Sequence, residues 1–326
     1  MLLLEASAVK RLFVSDITKD VEVKDFFLVV KKGIYSSRNN TRYASVRLRD
    51  KTGSIEARIW DRADELSAGF DRNDIVYVDA KARSYQEQLQ LNVTDIRKEA
   101  RVLSAKEIGE FYPETGLGIE RLKEAFFRIT GGIGDVHLTC LFDELKKREE
   151  VLDRFFLLPA SVGVHHVSIG GLLEHSVAVA EMGRHAVAFT GGDPDIVTAG
   201  SLLHDIGKID EITFKAGGFG YSDQGRLLGH ITLGIMILDR LVSAIDGFPA
   251  SLADVLKHII LSHHGAAEWG SPKKPMCIEA LVVHYIDNLD AKVMGVKEHM
   301  DAGMEDEKWT PFHRLYESRF YKIPER

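Results

Sequence analysis

Residues 47–61 read RLRDKTGSIEARIWD. Polar and apolar residues alternate on both sides of Asp50-Lys51-Thr52-Gly53, a turn signal, so the stretch predicts an antiparallel hairpin with one apolar face. Working outward, DFFLVVKKGIYSS (25–37) and YASVRLRD (43–50) precede the turn. DIVYVDAKARSYQ (74–86) and LQLNVTDIRK (89–98) follow SIEARIWD (54–61). All are short β-rich runs, and a helical-looking patch, DRADELSAG, lies after the third. Five strands with a helix after the third is the order of a small closed barrel, the OB-fold. Closure also removes the edge strands that so short a β segment would otherwise expose.

Beyond the barrel the pattern changes. Residues 101–159 are expected to form a helical connector, with Ser104 as an N-cap before AKEIGEFY and glycines at 116, 118, 131, 132 and 134 as punctuation. From residue 160 the chain reads as helices. GGLLEHSVAVAEMGRHAVAF, DIVTAGSLLHDIGK, GHITLGIMILDRLVSAI, LADVLKHIILSHH and IEALVVHYIDNLDAKV each repeat apolar residues every three or four positions. The expected organisation is therefore multidomain α+β: residues 1–100 a β-barrel, 101–159 a connector, and 160–326 an all-α domain. Its C-terminal tail, WTPFHRLYESRFYKIPER, is aromatic and basic and is expected to pack back on a domain.

Bulk properties narrow the class. The chain has 326 residues, 45% of them hydrophobic, and no apolar run near the length of a membrane span. The N-terminus has no basic region before its apolar start and no cleavage site, so a cytoplasmic protein is expected. Cys140 and Cys277 lack zinc-ligand spacing and are too few for a disulfide framework. The formal charge of −7 divides unevenly: residues 1–100 carry 18 basic and 16 acidic side chains, and the remainder 24 and 33. That polarity suits an N-terminal half that meets an anion, though it is far from a basic tail. Of 13 histidines, ten fall between His165 and His284.

Those histidines carry the chemistry. His204-Asp205 lies in SLLHDIGK near the end of an apolar helix, His175 falls inside an upstream amphipathic helix, and His230 opens the next one. His263-His264 end another, and Asp287 lies on the last. One histidine among apolar residues is usually bonded within the core. Five helices that each turn an imidazole or carboxylate inward are hard to satisfy without metal. Imidazole and carboxylate suit Mn, Fe, Co, Ni or Zn, and the absence of cysteine ligands disfavours a structural zinc site. His175, His204, Asp205 and Asp287 would hold one ion. Asp205 could bridge to a second, completed by His230, His263 and His264, so that two ions clamp a phosphate and activate water. Lys208, four residues after His204, is placed to meet phosphate charge. Asp290, one turn after Asp287, competes as the last ligand or holds a ligand histidine.

The pattern H…HD…H…HH…D with HDIGK intact resembles the HD-domain superfamily of metal-dependent phosphohydrolases, over about residues 160–295. RLRDKTGSIEARIWD resembles the central hairpin of OB-fold nucleic-acid-binding domains. Together with HHVSIGGLLEHS, ILSHHG, GSPKKPMCIEALVVHYIDNLDAKV and the C-terminal WTPF…RFYK, the chain is similar to the YhaM-type 3′→5′ exoribonucleases along nearly its whole length. That resemblance implies an exonuclease on single-stranded RNA that releases nucleoside 5′-monophosphates, typically with Mn²⁺. It implies the quartet His175, His204, Asp205 and Asp287 as ligands of one ion, and His230, His263 and His264 as those of a second where two ions are bound.

On the barrel, OB-fold binding faces stack bases on exposed aromatics beside basic side chains. Tyr35, Tyr43, Arg47, Arg58 and Trp60 are the candidates. His165 and His166, shortly before a Gly-Gly, are candidates to touch the scissile phosphate, and Arg319 and Tyr321 to return to the site. Single-stranded DNA stays open as a substrate beside RNA, and so does a homo-oligomer. No membrane partner is expected. The rival function is hydrolysis of a small nucleotide (a dNTP, cyclic dinucleotide or alarmone). A second binding domain argues against it, and GVHH in place of a GYP motif weakens the cyclic-dinucleotide case.

Overall fold

A computed structural model describes residues 10–37, 40–85, 88–101, 105–162, 168–215, 218–301 and 308–323. Five strands close into a barrel in the order β1 (Glu22–Ser36), β2 (Arg42–Asp50), β3 (Gly53–Ile59), β5 (Gln88–Lys98) and β4 (Ile75–Tyr85). Asp50 pairs with Gly53 across the turn. β3 and β5 run parallel through Glu56↔Gln90 to Arg58↔Asn92, and that pairing completes the ring. Register shifts place one extra residue in β1 between Val29 and Lys31 and one in β5 opposite Asp79/Ala80, bending β1 and β5 where the sheet must curl. Alternation sets the faces: Val46, Leu48, Ala57 and Ile59 join Phe27, Val76, Val78 and Leu91 in a sealed interior. Tyr43, Ser45, Arg47, Glu56 and Arg58 lie at the alternate, outward positions of β2 and β3, and Trp60 follows β3 directly. The expected helix after the third strand is α1 (Ala63–Ala68).

The chain entering the barrel is fastened by two buried carboxylates. Asp25 accepts the backbone N–H of Arg11 and Leu12, and Asp50 accepts that of Val14. Lys10 is buried with them, 3.2 Å from Asp50 and donating to the Phe26 carbonyl. Burial drives the Lys10 ammonium below the ordinary lysine range, and the neighbouring carboxylates oppose that.

Helices follow. α2 (Ala105–Ile108) precedes α3 (Ile119–Gly131), α4 (Val136–Lys146) and α5 (Glu149–Leu157), whose Phe126, Phe142, Phe155 and Phe156 form one aromatic knot. Then come α6 (Gly171–Thr190), α7 (Pro194–Leu203), α8 (Lys208–Glu211), a two-stranded hairpin of β6 (Ile212–Lys215) and β7 (Gly218–Tyr221), α9 (Asp223–Ser243), α10 (Ala250–Ser262) and α11 (Ile278–Asp301). Contacts divide the chain into two compact units: residues 1–114 with 213–220, and residues 115–212 with 221–326. Ser104, expected as an N-cap, lies outside the described residues. No helix among the described residues is long and apolar enough to cross a membrane.

In the helical unit, starts are capped as elementary chemistry asks. Asp193 accepts from Asp195 and Ile196 ahead of α7, with Pro194 at its first position, and Ser222 accepts from Gly225 ahead of α9. α9 kinks at Gly229, whose φ of 71° lies in the left-handed region, and His230 starts the straight part that follows. Gly207 makes the closest backbone approach. A Cβ there would stand 1.9 Å from the His230 carbonyl oxygen and 2.4 Å from the Gly234 nitrogen. Only glycine lets the turn after α7 lie directly on α9.

Candidate metal centre

Five segments of the helical unit bring their polar side chains to one place. α6 supplies His175, the turn after α7 supplies His204 and Asp205, and α9 supplies His230. The end of α10 supplies His263 and His264, and α11 supplies Asp287 and Asp290. His175, His204, Asp205 and His263 are each no more than 3% exposed. Their atoms form two groups, His175–His204–Asp205 and His230–His263–His264. Asp287 Oδ1 adjoins the first, 3.2 Å from His175 Nε2 and 3.8 Å from His204 Nε2. Asp205 belongs to both. Its Oδ2 lies 3.4 Å from His204 Nε2, while its Oδ1 lies 3.6 Å from both His230 Nε2 and His263 Nε2.

The imidazoles are held from behind. Nδ1 of His204 donates to the Ser201 carbonyl, that of His263 to Ile260, and that of His264 to Trp269, at 2.7 to 2.8 Å. His230 Nδ1 faces the Glu211 carboxylate at 3.2 Å, and the same oxygen takes the His230 backbone N–H. A carbonyl or carboxylate oxygen accepts, so Nδ1 carries the hydrogen and Nε2 turns a lone pair inward. His175 is held from behind by Asp290, 2.6 Å from Nδ1. The structure thus separates the two rival aspartates. Asp287 stands on the Nε2 side of His175, among the converging donors, and Asp290 on the far side.

Burial of His175 opposes its charge, but hydrogen bonds to Asp287 and Asp290 outweigh that and push its pKa up to about 10. Burial alone would raise the Asp205 carboxyl, yet the Lys208 ammonium at 2.6 Å, with other neighbours, holds it well below the usual carboxylate range. Burial pushes His263 and His264 down, so both imidazoles are neutral near pH 7.

A divalent cation fits this set. Asp205 Oδ1, His230 Nε2 and His263 Nε2 are all buried and all without a hydrogen-bond partner, and they converge with no hydrogen among them. Three inward lone pairs repel one another unless a positive charge lies between them. The spacings agree as well. Ligands about 2.1 Å from a common ion stand about 3.0 to 3.4 Å apart, against the 3.2 to 3.8 Å found between Nε2 and carboxylate atoms.

Lys208, expected on the face of His204 to meet phosphate charge, forms an ion pair with Asp205 at 2.6 Å. Residues 204–210 run through successive i→i+3 bonds (Ile206 to Leu203, Lys208 to Asp205, Ile209 to Ile206), which tighten the chain. Lys208 therefore comes back onto Asp205 rather than along the face of His204. It also lines a pocket of about 610 Å³ in the same unit, floored by His175, Asp205, His263, His264 and Asp287. The C-terminal segment does return to this pocket, through Leu315 and Tyr316, whereas Tyr321 pairs with Trp309. His165 and His166 lie outside the described residues. Sequence reading missed Glu211, Trp269, Lys292 and Tyr316. Glu211 carried a signal, as an acid one helical turn beyond Lys208, but the other three carried none.

On the barrel, Tyr35 of β1, Tyr43 of β2 and Trp60, the residue after β3, form one row. Tyr35 pairs with Tyr43 in register, with ring centroids at 5.8 Å, and Tyr43 stacks on Trp60 at 4.6 Å. Tyr35 and Trp60 are more than two-fifths exposed. Arg47 and Arg58 flank the row, both bonded to Glu56, and the Arg58 guanidinium lies 5.8 Å from the Tyr43 ring centroid.

Comparison with known proteins divides the chain along the same lines. The HD domain model matches residues 172–292, and the OB-fold nucleic acid binding domain model matches residues 28–99. The 3′-5′ exoribonuclease YhaM of Geobacillus sp. (strain WCH70) is 32% identical over 305 residues, 92% of either chain. Among solved structures, the second OB-fold domain of replication protein A from Methanococcus maripaludis covers 28% of this chain and 98% of its own, at 21% identity and a TM-score of 0.24. The mitochondrial single-stranded DNA binding protein Rim1 from S. cerevisiae covers 25% of this chain and 97% of its own, at 18% identity and a TM-score of 0.22.

Proposed function

Because the chain belongs to the family of the 3′-5′ exoribonuclease YhaM, we propose that it is a metal-dependent 3′→5′ exonuclease that shortens single-stranded RNA and releases nucleoside 5′-monophosphates. The observation that carries the reading is the pairing, in one chain, of a buried convergent cluster of imidazoles and carboxylates with a barrel that exposes an aromatic row beside arginines. A small nucleotide would need only the first.

His175, His204, Asp205 and Asp287 would hold one cation, and His230, His263 and His264 a second, with Asp205 giving one oxygen to each. Bound ions would supply a nucleophilic water at neutral pH and positive charge for the leaving oxygen. The protein's own part is positioning. Ser201, Ile260, Trp269, Glu211 and Asp290 fix the five imidazoles by their Nδ1 atoms, so the donors need no rearrangement to bind. Lys208 keeps Asp205 ionised and adds a cation to the pocket wall where a phosphate would arrive. On the barrel, Tyr35, Tyr43 and Trp60 would stack bases, and Arg47 and Arg58 would track the backbone. Such contacts tolerate any sequence and weaken with salt.

Imidazole and carboxylate donors without thiolate suit Mn, Fe, Co, Ni or Zn; among these, Mn²⁺ is the ion that the resemblance to YhaM-type exoribonucleases implies. RNA is the favoured substrate, with single-stranded DNA as its competitor. The compartment is the cytoplasm, in keeping with free thiols at Cys140 and Cys277. The test is a gel assay with chelator-stripped protein, added Mn²⁺ and a 5′-labelled single-stranded RNA of about 20 nucleotides, longer than one OB-fold site. A ladder shortening from the 3′ end, absent without metal, is expected. Intact RNA from a preparation that hydrolyses a free nucleotide would overturn the assignment.

A further inference from the structure

One wall of the pocket above the metal donors is unexplained by metal binding. Trp269 ends a short 3₁₀ turn (Ala267–Trp269) and stays 56% exposed beside buried histidines. It is not loosely held. Its carbonyl accepts from His264 Nδ1 at 2.7 Å, and the turn is bracketed by Gly265 and Gly270, both at positive φ. At Gly265 a Cβ would fall 2.2 Å from the His284 ring, so the chain leaves α10 along one path. Lys292 on α11 places its ammonium over the Trp269 ring, 5.8 Å from its centroid. Tyr316 of the C-terminal segment closes the third side. Its hydroxyl donates to the Lys292 carbonyl at 3.3 Å and sits over Gly295, where a Cβ would come within 2.7 Å.

An exposed indole, a lysine and a phenol thus line the pocket that holds the candidate ligands. A volume of about 610 Å³ is ample for one nucleotide. We propose that Trp269, Lys292 and Tyr316 form the subsite of the 3′-terminal nucleotide. Trp269 stacks the terminal base, Lys292 pairs with the adjoining phosphate, and Tyr316 bounds the sugar. Stacking on an aromatic face is indifferent to base identity, as an enzyme that must remove every nucleotide in turn requires. The indole is tied through its own carbonyl to His264, so base and metal donors share one rigid frame. This subsite rests on the exonuclease reading above.

The test uses full-length protein stripped of metal and a single-stranded RNA bearing 2-aminopurine as its 3′-terminal base. Wild type should quench the terminal probe. Trp269→Ala should abolish that quenching, and Trp269→Phe should restore most of it. With Mn²⁺, Trp269→Ala should raise KM by about 5- to 150-fold, the range of one lost stacking contact, with kcat largely kept. An RNA ending in an abasic sugar should show no such rise, because it has no base to lose. Unchanged quenching in Trp269→Ala, or an equal KM rise for the abasic substrate, would overturn the subsite. A wild-type enzyme that shortens no RNA would overturn the exonuclease reading instead, so the two failures are distinguishable.

Discussion

Gly207→Ala is a single-methyl perturbation aimed at the frame of the site rather than at any donor. The added Cβ would stand 1.9 Å from the His230 carbonyl oxygen, a backbone atom of α9 that no rotamer change can move aside. Ordinary contact begins near 3.4 Å. The turn and α9 must therefore separate by about 1.5 Å, and overpacking of this kind costs about 1 to 3 kcal/mol. In a unit of this size that lowers Tm by about 3 to 10 °C. The geometry suffers more than the stability. His230 travels with α9, whereas Asp205 is two residues before Gly207, so their 3.6 Å approach opens. A misplacement of about 1 Å at a reacting centre costs about 100-fold in rate. The expected result is a folded protein with RNA affinity retained, weaker binding of the second metal equivalent and kcat/KM down by about 100-fold. The assays are calorimetry, metal content by mass spectrometry and the labelled-RNA ladder. Wild-type metal content together with wild-type turnover would refute the close packing of the turn on α9.

Other expectations follow from the same geometry. Asp205→Ala removes the carboxylate common to both groups and should abolish hydrolysis while single-strand binding persists. Full activity in that variant would dismiss the assignment. Asp290→Asn takes the charge from behind His175 and should weaken metal binding by about 10- to 100-fold in chelator competition; unchanged affinity would leave Asp290 without that role. His175 has its pKa raised from 6.5 to about 10 in the metal-free protein. The stability it contributes is complete below pH 6.5 and is lost as pH rises through 10. Metal must displace its proton, so calorimetry at pH 7 in buffers of different ionisation enthalpy should show about one proton released per ion bound there; no release would contradict the assigned ligand. Trp60→Ala should raise KM for RNA by about 5- to 150-fold with kcat at saturation kept. Arg58→Ala should also reduce the salt slope of binding by about one. Unchanged affinity in both would move the binding face elsewhere.

The barrel was legible because its signal is local. Period-two alternation through RLRD and SIEARIW, broken at Lys51-Thr52, specifies both the hairpin and the face each side chain takes. The converging histidines were legible as an ensemble, since each sits where an apolar helix has no other use for a polar group. Finer distinctions were not in the periodicity. Asp287 and Asp290 are three apart on one helix and share a face. Only the orientation of the His175 ring assigns one to each side. Lys208 was expected beside His204 on the assumption of a regular helix, and the i→i+3 turns bring it to Asp205 instead. Trp269 and Tyr316 were invisible, because each lies in irregular chain and reaches the pocket through contacts remote in sequence.

The bond from His175 to Asp290 joins residues 115 positions apart, and Tyr316 arrives later still. Closing so long a loop is an entropic expense that only the finished packing repays. During synthesis, chains fold from the N-terminus as sequence becomes available. The barrel, finished by residue 98, can form while α11 has yet to be made. On the proposed reading, a growing chain would therefore gain its strand-holding surface first and its metal centre last. For an exoribonuclease made beside the very class of polymer it degrades, that order would keep nascent copies harmless until the last helix docks.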